Sequence, residues 1–335
     1  MTTAIDAHAH YIPAAVLDAV RREPEALGVS IAPGSDGPPA LLYEDGARLR
    51  PFFPRLIEGE EARVSAMHGM GLRHQVLSVW TDMFGFGLPA AKAVRWHRVM
   101  NDALGDLCRR RPGDFSWLAS GALQDPAAAA GELRRAVREG GAKGAAAPAN
   151  VGGVNLGEME LDPYWAAVQE LGVPLLIHPV DLAPGPRVRR WGLTQVAQYT
   201  FDTTLAVASL IHSGVLDRFP EIELFLPHGG GALLWLSGRF DVMYERLPAA
   251  TGGSGAKRKP SDYLRRCHYD TILHSGDLVR TLVGMVGADR VLLGTDDAFP
   301  PMDRDPLATL AAAALPEANA ALIREGNARA LFKLG

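Results

Sequence analysis

Short apolar runs alternate with helical stretches along this chain of 335 residues, and the alternation recurs eight times. The runs fall at 4–10, 75–80, 116–123, 141–148, 174–178, 222–227, 268–273 and 290–296, and the helical patterns between them at 13–22, 58–70, 90–111, 126–139, 163–171, 203–213, 232–246 and 276–286. Eight strands, each followed by a helix, are the period of a (β/α)8 TIM barrel rather than of a doubly wound sheet. No G-x-G-x-x-G follows the first strand, so the dinucleotide-binding fingerprint of the doubly wound alternative is missing. One barrel domain over 1–335 is therefore expected, with an insertion at about 23–57 where Gly and Pro break the rhythm. Inside that insertion, apolar flanks around Asp45-Gly46 in Leu41–Leu49 predict a small β hairpin after strand 1.

Composition narrows the class of function. Hydrophobic residues make up 47% and charged residues 21%, and no apolar stretch reaches the eighteen or so residues of a membrane span. Thirty-eight acidic against thirty-four basic residues leave a net charge of −4 without long blocks of one sign, which disfavours nucleic acid as a partner. Cys108 and Cys267 form no Cys-x-x-Cys pair, and the N-terminus has no basic segment leading an apolar signal core. A cytoplasmic protein acting on small molecules is expected.

The polar residues at the strand ends carry the chemistry. Side chains in a strand alternate, so His8 and His10 point to one side, where two imidazoles can share a divalent ion. His178 ends strand five, His228 ends strand six and Asp296 ends strand eight. The C-terminal strand ends of a barrel are where active sites lie, so these distant residues meet at one mouth. A single histidine closing an apolar run is most often a core residue; four on one rim are not explained that way. His68, His74, His97, His212 and His268 fall away from the mouth and read as surface or capping residues. His274, at the end of strand seven, stands close enough to steady the site without being a ligand.

In combination, His8-x-His10, Ile-His178-Pro-x-Asp181, His228-Gly229-Gly230-Gly231, Leu273-His274 and Gly294-Thr295-Asp296 resemble the amidohydrolase superfamily, and most of all its branch typified by aminocarboxymuconate-semialdehyde decarboxylase. The resemblance implies one divalent ion, usually zinc, on residues matching His8, His10, His178 and Asp296. It also implies an acid/base histidine matching His228, so that His228 and Asp296 are the expected catalytic pair. An ion with an open position lowers the pKa of a bound water, and His228 is placed to take its proton. Two-metal members carry a modified lysine late in strand four. Here that stretch reads Ala145-Ala146-Ala147-Pro148-Ala149-Asn150, and Lys143 comes too early, so one ion is expected.

Arginines indicate an anionic substrate, since a guanidinium holds a carboxylate through two parallel hydrogen bonds. Arg187, Arg189 and Arg190 follow strand five, with Trp191 beside them. Arg239 matches an arginine that the decarboxylase branch supplies across a dimer interface, and Arg55 matches a second substrate arginine; Trp80, Trp191 and Phe299 are candidates for the wall. Two departures reshape the pocket: Val180 stands where the branch has tryptophan, and Asp297-Ala298-Phe299-Pro300 replaces its Tyr-Pro-Phe-Pro after the ligand aspartate. The expectation is a homodimeric decarboxylase of a small unsaturated or aromatic carboxylic acid. A metal-dependent hydrolase of a C–N, C–O or C–C bond is the alternative, and a catalytically silent barrel acting as a partner subunit is a third.

Overall fold

The computed structural model describes residues 3–32, 38–180, 185, 187–246 and 253–335. The eight apolar runs form one parallel sheet in sequence order: β1 (Ile5–His10), β2 (His74–Ser78), β3 (Phe115–Ala119), β4 (Gly144–Pro148), β5 (Leu175–His178), β6 (Leu224–Leu226), β7 (His268–Asp270) and β8 (Val291–Leu292). Backbone hydrogen bonds from Ala7 N to Leu293 O (2.8 Å) and from Asp296 N to His8 O (2.9 Å) join the chain leaving β8 to β1. The sheet is thereby closed into a TIM barrel, as the eightfold alternation predicts.

The helices that matter for the site are α1 (Ala14–Arg22), α2 (Glu60–Gly69), α3 (Ala90–Arg110), α4 (Pro126–Arg138), α5 (Asp162–Leu171), α6 (Tyr199–His212), α7 (Leu233–Arg246) and α8 (Gly276–Val286). Asp125 and Ser275 cap α4 and α8, each accepting a backbone N–H of the first turn; such caps contribute about 1 kcal/mol each. One buried residue or more from every strand but β7 fills the barrel interior: Ile5 and Ala7, Val76, Leu118, Ala146, Leu176, Phe225 and, from β8, Leu292. Tyr269 of β7 instead joins the larger core between sheet and helices. The C-terminal helix Asn327–Phe332 plugs the bottom with Leu331 and Phe332.

A bulge in β1 reconciles this plug with the histidines above it. Between the pairs Asp6–Gln75 and Ala9–Leu77 the first strand has one residue more than its neighbour. The extra residue reverses the alternation, so Ile5 and Ala7 join the interior core while His8 and His10 converge at the mouth. Asp6 and Gln75 are left on the outer face, hydrogen-bonded to each other (2.9 Å) and reached by Arg63 of α2.

The structure alters three local expectations. Ala40–Tyr43 pairs antiparallel with Val29–Ala32 upstream, and the Asp45-Gly46 turn closes only one bridge, Leu42 to Arg48. β8 stops at Leu292 because the next residues turn towards the first strand: Thr295 N–H donates to Asp6 (3.0 Å) and Asp296 takes a positive φ of 60°. The helix expected at 203 starts at Tyr199, led in by a wide turn over Thr194–Gln198.

Candidate metal centre

His8 and His10 sit on β1, His178 closes β5, and Asp296 lies just past β8; all four are buried. One ligand atom from each falls within 4.8 Å of all the others. His8 Nε2 and His10 Nε2 are 3.0 Å apart, and Asp296 Oδ1 lies 3.3 Å from His10 Nε2, 3.5 Å from His8 Nε2 and 4.0 Å from His178 Nε2.

The opposite ring nitrogens fix the tautomers. His8 Nδ1–H donates to Asp270 Oδ2 (2.8 Å), and His178 Nδ1–H donates to the Pro179 carbonyl (2.8 Å). His10 Nδ1 is 3.0 Å from Ser78 Oγ and 3.4 Å from the Val79 carbonyl. A carbonyl or carboxylate can only accept, so each Nδ1 carries the proton and each Nε2 lone pair faces the centre. His178 Nε2 and Asp296 Oδ1 have no hydrogen-bond partner among the described residues although both are buried. Buried polar atoms without partners are costly, and four convergent donors of this chemistry fit one divalent cation.

The electrostatics agree. Burial, reinforced by the neighbouring His10 and His8, pushes His178 well below the ordinary histidine range, and burial also lowers His10. Both are thus neutral, as ligands must be. Burial opposes protonation of His8 as well, but the hydrogen bond to Asp270 and the charge of Asp296 outweigh it and raise its pKa. For Asp296, burial favours the neutral acid, yet the closely packed His10 and His228, with His8 beside them, hold it well below the usual carboxylate range.

His228 stands beside this group, with Nε2 3.4 Å from Asp296 Oδ2 and Nδ1 without a partner among the described residues. It occupies a positive φ of 56°, as do His274 (54°) and Asp296 (60°). Non-glycine residues in this region are uncommon and collect at functional sites. The glycines after His228 serve the turn itself. A side chain at Gly231 would meet the Thr200 carbonyl at 2.0 Å, and one at Gly229 would meet Leu273 at 2.6 Å.

Above the centre opens a cavity of about 530 Å³, whose lining includes His178, His228, Asp296, Trp80, Phe299 and His274. Of the residues expected from sequence, Phe299 and Trp80 reach it, their rings 5.8 Å apart and Phe299 4.9 Å from His10. Arg189, Trp191 and Arg239 do not line it within one chain: Trp191 is 84% exposed, and Arg239 lies exposed on α7, one turn beyond Trp235. Arg55 turns away to Asp297, donating from Nε to Oδ1 (2.8 Å) and from Nη2 to Oδ2 (2.6 Å). Asp181 lies outside the described residues.

Two polar residues were not anticipated. Arg50 lines the cavity, 5.2 Å above the Trp80 ring, 3.2 Å from Tyr199 Oη and 3.6 Å from Asp82. Its signal was present in Arg50-Pro51-Phe52-Phe53-Pro54-Arg55, where two arginines flank one aromatic pair and only the fold decides between them. Asp270 accepts from His8 and also from Gly229 N–H (3.0 Å), tying His8 to the His228 turn. His97, expected at the surface, is 1% exposed, bonded to Ser120 Oγ (2.8 Å) and the Phe84 carbonyl (3.1 Å).

A barrel whose strand ends gather three imidazoles, a carboxylate and a further histidine defines a class of metal-binding (β/α)8 proteins. Within that class the chain belongs to the amidohydrolase family, whose model matches residues 5–334. Among its relatives, the gamma-resorcylate decarboxylase of Rhizobium radiobacter is 30% identical over 305 residues, covering 84% of this chain and 89% of the relative. The 2-amino-3-carboxymuconate-6-semialdehyde decarboxylase of Dictyostelium discoideum is 28% identical over 240 residues, covering 72% and 67%. Among solved structures, a 2,6-dihydroxybenzoate decarboxylase complexed with 2,6-dihydroxybenzoate superposes with a TM-score of 0.78 at 26% identity over the whole of both chains. A dihydroxybenzoic acid decarboxylase from Polaromonas with bound manganese and 2-nitroresorcinol gives 0.78 at 25% identity, covering 100% of this chain and 98% of that one.

Proposed function

We propose that this barrel, acting as one catalytic unit, is a metal-dependent decarboxylase of a small aromatic carboxylic acid. The observation that carries the proposal is the convergence of His8, His10, His178 and Asp296 beneath a cavity walled by Trp80 and Phe299, in a chain whose named relatives are decarboxylases. A divalent ion held by those four residues would supply Lewis-acid polarisation of a substrate oxygen. Three imidazoles favour zinc; manganese, which the Polaromonas relative carries, is the competing identity.

The chain's own residues supply the rest. The Trp80 and Phe299 rings form the side of a slot suited to a flat aromatic ring. Arg50, from the insertion, presents its charge at the wall to an anionic group of the substrate. His228 is the acid/base: a proton is delivered to the ring carbon that bears the carboxylate, the bond to that carboxylate breaks, its electron pair stays with the ring, and CO2 leaves.

The same proposal covers the assembly. Trp235 is 69% exposed, Val196 68%, Leu205 54% and Phe201 50%, and they lie on α6, α7 and the turn leading into α6. An apolar patch of this kind marks an interaction surface. A homodimer through it would cover the cavity edge formed by Val196 and Trp235 and carry Arg239 towards the neighbouring site. Both cysteines are free, in keeping with a reducing cytoplasm. No helix among the described residues is long and apolar enough to cross a membrane. The test is CO2 release from a panel of hydroxylated benzoic acids by protein loaded with zinc or with manganese. Turnover of at least one acid, lost on chelation, supports the proposal; activity confined to esters or amides rejects it.

A further inference from the structure

Asp297 is fully buried immediately beside a metal-centre carboxylate, yet its side chain faces the outer side of the barrel wall. There it meets two guanidiniums. Arg55 grips both of its oxygens, and Arg63 of α2 stands 3.3 Å from Oδ2 while also donating to the Asp297 carbonyl (3.3 Å). Arg63 is itself fixed by Gln75 (2.9 Å), and Asp297 N–H donates to Thr295 Oγ1 (3.0 Å). The aspartate is therefore immobile, and its backbone also pairs with Ala9 between the two β1 ligands.

Arg55 is the movable half. It belongs to the short turn Pro54–Leu56 where the insertion returns to the barrel, and it is one-third exposed. Upstream on the same segment are Phe53, packed 5.5 Å from Phe299 and 6.2 Å from Trp80, and Arg50 in the cavity wall. Other polar ties hold the same end: Ile12 N–H to Leu56 O (2.8 Å) and Tyr11 Oη–H to Glu58 O (2.6 Å) downstream of the aromatic pair, Phe52 N–H to Pro39 O (3.0 Å) within the insertion, and Arg50 to Tyr199 Oη (3.2 Å) upstream; among the described residues the Arg55–Asp297 pair alone ties it through two parallel bonds to the residue after Asp296.

We infer that Arg55 and Asp297 form a latch that seats the insertion on the loop carrying Asp296, so that Arg50 is held in the cavity wall and Phe53 behind the Trp80 and Phe299 rings. Both are positioning residues, and Arg55 does not touch substrate. A bidentate arginine–carboxylate pair gives directional as well as electrostatic restraint, which a single ammonium does not reproduce. The latch explains why an acid is needed after the ligand aspartate: it is the anchor of an insertion, not a wall of the pocket.

The inference takes the cavity as the substrate site, as proposed above, so one readout is independent of turnover. Amide hydrogen exchange over 49–57 and steady-state kinetics are measured on metal-loaded Arg55→Ala, Arg55→Lys, Asp297→Asn and the Arg55→Ala/Asp297→Asn double variant. The expected result for Arg55→Ala is exchange faster by ~10-fold or more and KM raised by ~10-fold with kcat within about threefold and metal content unchanged, since misplaced wall groups weaken binding more than chemistry. Arg55→Lys recovers part of both effects, and the double variant is no worse than Arg55→Ala, because the partners act as one unit. Raised KM with unchanged exchange, or additive effects in the double variant, would mean that Arg55 binds substrate directly and would overturn the latch. Should no acid be turned over by the wild type, the exchange arm still decides: unchanged exchange in Arg55→Ala rejects the latch, faster exchange upholds it.

Discussion

Asp270 links the four convergent residues to His228, because one of its oxygens accepts from His8 and the other from the backbone that follows His228. Asp270→Asn should leave the barrel folded and weaken metal affinity by ~10–100-fold, the usual range for an outer partner of a ligating histidine, measured by competition with a chelator. Unchanged affinity would show that His8 needs no carboxylate behind it. His228→Ala separates the two roles differently: the ion should stay while activity falls by ~10²–10⁴-fold, whereas loss of the ion would make His228 a ligand. The convergence of His8, His10, His178 and Asp296 was legible in the sequence because they stand at strand ends, and strand ends converge in a barrel. Asp270 was not, since its partners are a ring nitrogen and an amide from other strands. Arg50 and Arg55 show the same limit, because only the path of the insertion decides which of them enters the cavity.

At the scale of elements, α3 carries a buried histidine held neutral. His97 packs on the face shared by Ala93, Trp96, Met100 and Asn101, and burial drives its pKa from 6.5 down to about 3. Since an unfolded histidine binds its proton near 6.5, this group favours folding fully above that pH and progressively less as pH falls towards 3. The loss is up to about 1.4 kcal/mol per pH unit, or about 2 kcal/mol between pH 7.5 and 5. His97→Gln, measured by denaturant unfolding across that range, should be less stable at pH 7.5 and show a flatter pH dependence; an unchanged slope would mean that His97 already charges in the folded state. The helical spacing of His97 with the apolar face was readable from the sequence, although the residue type argued for the surface. The alternation of strands and helices was legible for a stronger reason, that eight repeats reinforce one another. The Asp45-Gly46 turn formed as its residues require, but the longer partner of Ala40–Tyr43 lay upstream, where local turn chemistry carries no information.

For the molecule as a whole, the apolar faces of α6 and α7 bear on assembly and chemistry together. Mixed dimers of Arg239→Ala and His228→Ala chains should recover part of the activity that each variant lacks, because one of the two sites then has both residues; no recovery in verified mixed dimers would separate Arg239 from the neighbouring site. Sequence could not identify this face, since the same apolar residues at helical spacing serve equally well as core, and only the packed barrel shows which remain outside. The family, the barrel and the convergent His8, His10, His178 and Asp296 all lead to one central claim, that a carboxylate leaves and a proton takes its place. The most direct measurement is mass analysis of the product of a turned-over aromatic acid in D2O with the metal-loaded enzyme. Decarboxylation gives a product lighter by CO2 and carrying one deuterium at the carbon that bore the carboxylate, and His228→Ala slows its formation. A product that keeps its carboxylate, or two organic fragments with a new acid on one of them, would contradict the account and leave the barrel as the scaffold of a hydrolase.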